Sequence, residues 1–288
     1  MSAVFVTGAT GTVGSAVVSH LVGLGVDVVA GVRNPAAADH LPAGARARSF
    51  DFHSAPAGLR AALAGTDRLF LMRPPAIADV RTHLFPLIDA ARDTGVRQVV
   101  FLSLQGVQAN RRTPHHAVET YLRRQGAPYT FLRPNFFLQN LSTAYAERIR
   151  DRDEVFVPAG RSRTAFIDAR DIGRVAAAVL TSPGHLRRAY TLSGEQSLTY
   201  ADVARTMSAV LGRRITYARP SEADYLAALA AQGAPEDYLA VQRMIHRVVR
   251  LNVSAVPNRM VRRLTGTPAT TLADFVRDYR DVWTPPAG

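Results

Sequence analysis

The residues best suited to chemistry stand near the start of the chain. Thr7-Gly8-Ala9-Thr10-Gly11-Thr12-Val13-Gly14 follows an apolar run, Ala3 to Val6, and leads into Val13, Ala16, Val17, Leu21 and Leu24 at helical spacing. Three glycines between a buried strand and an amphipathic helix form the turn that takes a dinucleotide. Gly8 permits the tight turn, Gly11 lets backbone approach a pyrophosphate, and Gly14 lets the helix pack on the strand. Free N–H groups along Thr10, Thr12 and Val13, aided by the helix dipole, would hold the phosphates. The next strand ends in Gly31-Val32-Arg33-Asn34-Pro35. A carboxylate at that place binds a ribose 2′-hydroxyl, whereas an arginine suits a 2′-phosphate. Arg33 therefore points to NADP(H), with a plain surface arginine as the other reading.

Further candidates fall at the ends of later strands, where a ligand of an open parallel sheet lies. Asp51 and Phe52 are placed to flank an adenine; as alternatives, Asp51 is a loop cap and Phe52 a core aromatic. Met72, Arg73, Pro74, Ser103 and Pro134 complete the expected cofactor contacts. Gln105, Asn135, Phe136, Phe137 and Asn140 form a candidate substrate pocket, which Tyr145 extends; core packing is the other role for each phenylalanine. His115 lies in the first turn of a helix opened by Thr113 and Pro114, where the dipole disfavours the imidazolium. As a neutral donor it can bond a ribose or a substrate oxygen, or it is a solvated helix-start histidine. Glu119 is placed to pair with Arg123 at i+4.

These positions require a frame of alternating elements. Strands are expected at 3–6, 26–32, 45–52, 67–72, 97–103 and 129–132, separated by helices after the glycines and at 59–63, 79–94 and 113–125. Strand–helix–strand repeats need right-handed crossovers and a parallel sheet. Beyond residue 135 the rhythm breaks into short strands at 164–167, 189–193 and 215–218 and helices at 169–181, 199–211, 221–231, 236–249 and 270–282. The expected fold is α/β: a doubly wound Rossmann sheet over residues 1–135, with returning elements around 164–193. A smaller, mostly helical C-terminal lobe over 136–288 is not independent of it.

Composition narrows the chemistry. The 288 residues carry 35 Lys+Arg, all of them arginine, against 23 Asp+Glu, for a net charge of +12. The absence of lysine excludes a Schiff base and a phosphate-loop lysine. The absence of cysteine excludes a thiolate nucleophile and a disulfide frame. The arginine pairs at 111/112, 123/124, 187/188, 213/214 and 262/263 are scattered, and no groove-reading motif accompanies them, so specific nucleic-acid binding is not expected. The eight histidines lack ligand-like spacing, and no metal site is expected. Met1 to Phe5 runs straight into a strand and no apolar run reaches membrane length, which predicts a cytoplasmic protein without a membrane segment.

TGATGTVG at 7–14, VRNP at 32–35, RPNFFLQN at 133–140, FIDARDIG at 166–173, YTLSGEQSLTYADVA at 190–204 and GTPATTLADFVRDY at 266–279 together resemble the NmrA-like group of atypical short-chain dehydrogenase/reductases. The resemblance implies a Rossmann fold and NADP(H). The implied activities are quinone, azo and dye reduction, ketoreduction, or cofactor binding without turnover. Ordinary members of the wider superfamily use a tyrosine, a lysine and a serine. On the resemblance those places fall on Arg111, His115 and near Gln105, so the tyrosine–lysine dyad is missing. Hydride transfer to a quinone or conjugated carbonyl is still feasible, because the product anion is delocalised and takes its proton from water or a weak donor. The expected activity is an NADPH-dependent reductase of a quinone-like or conjugated aromatic carbonyl substrate. An NADP(H)-sensing regulator that acts through a protein partner, or a biosynthetic isomerase or dehydratase, remains the alternative. A homodimer is left open.

Overall fold

Four consecutive apolar residues, Ala3–Val6, are all buried, the pattern of a strand covered on both faces. The computed structural model describes residues 3–285, without the side chains of residues 37–39; Met1 and Ser2, part of the expected run from Met1 to Phe5, lie outside the described residues. Along the chain come β1 (Ala3–Val6), α1 (Thr12–Gly23), β2 (Asp27–Val32), β3 (Ala45–Ser49), α2 (Pro56–Leu63), β4 (Arg68–Met72), α3 (Val80–His83), α4 (Phe85–Asp93), β5 (Gln98–Leu102), α5 (Pro114–Arg124) and β6 (Tyr129–Pro134). They are followed by α6 (Gln139–Ser142), α7 (Ala146–Arg152), β7 (Glu154–Val155), β8 (Arg163–Thr164), α8 (Ala169–Thr181), β9 (Arg188–Leu192), β10 (Leu198–Thr199) and α9 (Tyr200–Leu211). The last elements are β11 (Thr216–Tyr217), α10 (Glu222–Ala231), α11 (Glu236–Arg250), α12 (Met260–Thr265) and α13 (Leu272–Asp278).

The chain divides into two compact units. The first holds Met1–Pro134, Ala169–Leu192 and Met260–Thr267; the second holds Asn135–Asp168, Ser193–Arg259 and Pro268–Gly288. Within the first unit, seven strands form one sheet in the order β3-β2-β1-β4-β5-β6-β9. Every neighbouring pair is parallel. The order reverses between β1 and β4, and this switch point opens a crevice at the carboxyl ends of the strands. One face of the sheet packs Phe5, Leu69, Phe101 and Phe131 against Leu59, Leu87 and Leu122 of the helices. On the other face α1 meets α8, and a Cβ on Gly173 would lie 2.7 Å from the Ala16 backbone.

The outer strand β3 carries Arg46 and Arg48, which guard its edge. Arg46 forks onto Asp27, with its Nη2 at 2.7 Å from Oδ2, and Arg48 Nη1 donates to the Ala62 and Ala64 carbonyls, each at 2.7 Å.

In the second unit Leu138, Leu141, Ile149, Tyr200, Val203, Met207, Phe275 and Trp283 share a core. The Trp283 indole donates to the Leu141 carbonyl at 2.9 Å. Two small sheets accompany it, β8 antiparallel to β10 and β7 parallel to β11.

The differences from the sequence reading have local causes. The third strand stops at Ser49 rather than residue 52, because the Asp51 carboxylate accepts the His53 N–H and turns the chain. The helix expected over 79–94 is two helices meeting at Leu84, since Pro86 enters the first turn of the second and cannot donate backward. Leu24 caps α1 from an exposed position instead of continuing its buried stripe. The strand expected at 164–167 is two residues of ladder and an isolated bridge from Ile167 to Phe137. The helix expected at 270–282 ends at Asp278 and tightens into a 3₁₀ turn that carries Trp283 into the core. The short α6, α7 and α12 had no counterpart in the periodicity.

Candidate functional site

The turn after β1 is held before any ligand is considered. Thr7, fully buried, donates from its hydroxyl to the Phe70 carbonyl at 3.1 Å and accepts from the Met72 N–H at 2.9 Å, tying β1 to β4 across the switch point. Gly8 has φ of +62°, a conformation that side chains rarely adopt, and the Met72 thioether lies over it where a Cβ would point. The Gly11 N–H then donates to the Gly8 carbonyl at 2.9 Å. A Cβ on Gly14 would stand 2.0 Å from that same carbonyl oxygen, so α1 approaches the turn as only glycine allows. Gly11 caps α1 without a side-chain hydrogen bond, and the first turn carries no acidic residue. With Thr10 and Thr12 exposed and Val13 buried, the helix start offers bare N–H groups and a positive dipole end.

Arg33 is exposed just past the end of β2. Its guanidinium acts electrostatically on Asp51, whose carboxyl is held below its usual range chiefly by hydrogen bonds from the His53 backbone and ring, with Arg33 adding to them. The ring contact, Nδ1 to Oδ1, measures 2.8 Å. Asp51 therefore caps its own loop while lying within the field of Arg33. Phe52 points into the core, edge-on to Phe50 with ring centroids 4.8 Å apart. Asn34 accepts the Ala36 N–H at 3.0 Å and shapes the segment after Arg33.

Beyond β4, Arg73 folds over its own loop, with Nη1 on the carbonyls of Pro74, Pro75 and Ile77 at 3.0, 3.1 and 2.7 Å. Its Nε is buried without a hydrogen-bond partner, as is the Ser103 hydroxyl just past β5. Two orphaned polar atoms at adjacent strand ends need an outside partner, because leaving each unsatisfied costs roughly 1–3 kcal/mol. Bare helix N–H groups, a glycine cradle and these orphans fit a dinucleotide.

His115 sits on α5, in the helix begun by Thr113, whose hydroxyl accepts the His116 N–H at 3.2 Å. Burial, with the Arg73 guanidinium adding to it, pushes the His115 imidazole down to about 4, against a smaller upward pull from Glu119. It is neutral at pH 7. Its ring lies 6.1 Å from that of Phe101. Glu119 pairs with Arg123 at 3.0 Å as expected, and also takes a fork from Arg133, Nε at 2.9 Å and Nη2 at 2.6 Å. That second arginine escaped the sequence reading, since neither its spacing of 14 nor its residue type distinguishes it in an arginine-rich chain. The holding role of Thr7 was likewise missed, although its place before Gly8 is a usable signal.

The strand ends of the first unit thus bring together Gly8, Met72, Arg73, Ser103 and His115. Gln105 donates its N–H to the Pro134 carbonyl at 3.0 Å and belongs to the same unit. The other pocket candidates stand in the second unit. Asn135 is buried there, its amide donating to the Ser254 carbonyl at 2.8 Å and its oxygen accepting the Phe136 N–H. Phe136 packs beside that unit's core, Phe137 bridges to Ile167, and Asn140 accepts the Tyr145 N–H at 3.0 Å through its backbone. Burial raises the Tyr145 hydroxyl well above its ordinary value. No helix among the described residues is long and apolar enough to cross a membrane.

A profile of the NmrA-like family matches residues 1–259. The NAD(P)H azoreductase of Xenophilus azovorans is 34% identical over 283 residues, covering 96% of this chain and 97% of that protein. Agroclavine dehydrogenase of Claviceps fusiformis is 33% identical over 221 residues, 75% of each chain. Among solved structures, an NADPH-dependent quinone oxidoreductase of Escherichia coli, complexed with NADPH, aligns with a TM-score of 0.86 at 29% identity, covering 96% of this chain and 99% of that one.

Proposed function

Because the chain belongs to the NmrA-like family, we propose that it is an NADPH-dependent oxidoreductase that reduces quinone-like or conjugated aromatic carbonyl substrates. The observation that carries this reading is the cradle at Gly8, Gly11 and Gly14 with an arginine, not a carboxylate, after β2. The similarity to an azoreductase and to a quinone oxidoreductase supports it.

In this reading the backbone from Thr10 to Gly14 holds the pyrophosphate and Arg33 takes the 2′-phosphate. Asp51, Met72, Arg73, Pro74, Ser103 and Pro134 line the remainder of the cofactor. Once bound, NADPH supplies a hydride, and one proton from solvent completes the two-electron reduction of a quinone to a hydroquinone. His115 does not titrate near neutrality, and as a neutral imidazole it donates a hydrogen bond to the ribose or to the acceptor oxygen as negative charge develops there. On the family resemblance the places of the tyrosine and lysine of ordinary dehydrogenases fall on Arg111 and His115, a reading that favours acceptors whose reduced anion is delocalised. Gln105, Asn135, Phe136, Phe137 and Asn140 are the proposed substrate contacts.

The test is steady-state oxidation of NADPH and NADH with a panel of quinones, azo dyes and aromatic ketones. NADPH is expected to be the preferred donor. Arg33→Gln should lower kcat/KM for NADPH by 10- to 100-fold, roughly the 2 kcal/mol of a charge-assisted contact, and leave NADH nearly unchanged. A protein that binds NADPH yet reduces no member of the panel would refute the enzymatic reading. An Arg33 variant with unaltered preference would refute the placement of the 2′-phosphate.

A further inference from the structure

Two helices of the second unit, α10 and α11, pack principally on each other among the helices and strands. α10 buries Tyr225 alone, and α11 buries Leu239, His246 and Val249. Both ends of the pair turn on unusual backbone. Among the described residues four that are not glycine have positive φ, and two of them, Arg219 at +51° and Asn252 at +56°, bracket residues 220–251. Arg219 also precedes Pro220, a place that favours extended backbone of negative φ. Such conformations are costly and cluster at ligand clamps and switch regions.

The buried side of the pair holds a polar group without a partner. His246 is 2% exposed, and neither ring nitrogen has a hydrogen-bond partner among the described residues. A neutral imidazole carries one donor and one acceptor, so packing leaves both unmet. The Tyr225 ring stands edge-on to it, with centroids 4.8 Å apart. The Tyr225 hydroxyl accepts from that of Tyr145 and donates to Gln242 Oε1 at 3.2 Å. This chain of hydroxyls latches the pair to Tyr145, which packs beside the same core as Phe136. Burial keeps the hydroxyls of Tyr145, Tyr200 and Tyr225 protonated and His246 neutral at pH 7. Glu222, which acts on His246 from the start of α10, is held by Arg247 at 3.2 Å. A charged ligand would surrender its hydration here without meeting a counter-charge.

We propose that α10 and α11 form a lid over Tyr145, hinged at Arg219 and Asn252, that opens to admit an uncharged aromatic acceptor and closes with Tyr225 and His246 on its oxygen. A hydroxyl or carbonyl oxygen on the acceptor gives His246 the partner that the chain does not supply. The closed lid is therefore more stable with that ligand beneath it than without. This inference rests on the proposed reductase reading and names the acceptor class: neutral and hydroxylated, rather than sulfonated or cationic.

Hydrogen exchange on the whole chain with NADP+ present reads the lid without turnover, and the absence of cysteine removes thiol trapping of a quinone. Amides of residues 222–250 should exchange faster than those of α9. They should slow about tenfold once a hydroxynaphthoquinone saturates the protein, and not with its sulfonated analogue. Tyr225→Phe keeps the ring on His246 and cuts the latch. It should speed exchange in 222–250 alone and raise KM for the hydroxynaphthoquinone about tenfold with kcat little changed. His246→Phe removes the orphaned nitrogens, so it should slow exchange and raise KM for the hydroxylated quinone but not for unsubstituted naphthoquinone. The wild-type exchange measurement stands if either variant misfolds. A helix pair that the quinone leaves unprotected overturns the lid whatever the activity, as does equal protection by the sulfonate or a KM that neither variant moves. Protection in a protein that reduces nothing upholds the lid and refutes only the proposed reaction.

Discussion

Where the first unit sets Gly8, Met72 and Ser103 at the ends of neighbouring parallel strands, the second gathers Leu141, Tyr200, Phe275 and Trp283 from segments far apart in the chain. The indole of Trp283 reaches a carbonyl 142 residues earlier. In the first unit a repeated strand–helix pattern fixes where each loop emerges, so a short motif acts locally. In the second, order depends on distant side chains meeting, and no short segment carries it alone. The two should therefore fail differently: the first by losing its ligand, the second by losing its stability.

The strongest contrast is between Gly14→Ala and Trp283→Ala. The added methyl at 14 collides with the Gly8 carbonyl and should weaken NADPH binding at least 100-fold in a fluorescence titration, which is about 3 kcal/mol. Truncating the buried indole should cost about 3–5 kcal/mol in a denaturant titration while the folded protein keeps its cofactor affinity. Equal loss of affinity in both variants would break the division.

A comparable effect follows from one histidine in each unit. Burial is the leading cause that pushes both His115 and His246 down to about 4. The unfolded chain takes up a proton near 6.5 and the folded chain does not until about 4, so stability falls as pH drops through that window and is unaffected above it. Each histidine accounts for up to about 3 kcal/mol of the loss. Thermal midpoints measured from pH 7 to pH 4 should flatten partly in His115→Gln and partly in His246→Gln. If either substitution removes the whole dependence, the two sites are not independent. The smallest effect belongs to the edge of the sheet, where Arg46→Ala removes an exposed pair with Asp27 and should cost only about 0.5 kcal/mol in the same denaturant assay.

The same contrast explains what could be read from the residues. Gly8, Gly11 and Gly14 announced their geometry because the constraint on each is local: a positive φ, or a carbonyl within a few residues. Thr113 and Pro114 marked the start of α5 for a similar reason. The fork from Arg133 to Glu119 was hidden, because 35 arginines offer many partners and only the sheet brings β6 to α5. The short α6 and α7 were hidden because Leu138 and Tyr145 at their starts make no side-chain cap, leaving no signal in residue type. The division at Leu84 was legible in Pro86 and was overridden by the apolar periodicity on either side.

The interrupted path of the first unit also has a consequence for biosynthesis. β6 is complete at Pro134, but its outer neighbour β9 is not finished until Leu192. At roughly 5–20 residues per second, a ribosome takes on the order of 3–12 s to supply it. Throughout that interval Phe131 and Leu132 belong to an unpaired strand edge, a template for pairing with any other nascent chain. Slow codons between 135 and 187 should therefore lower the soluble yield more than the same codons placed after 192.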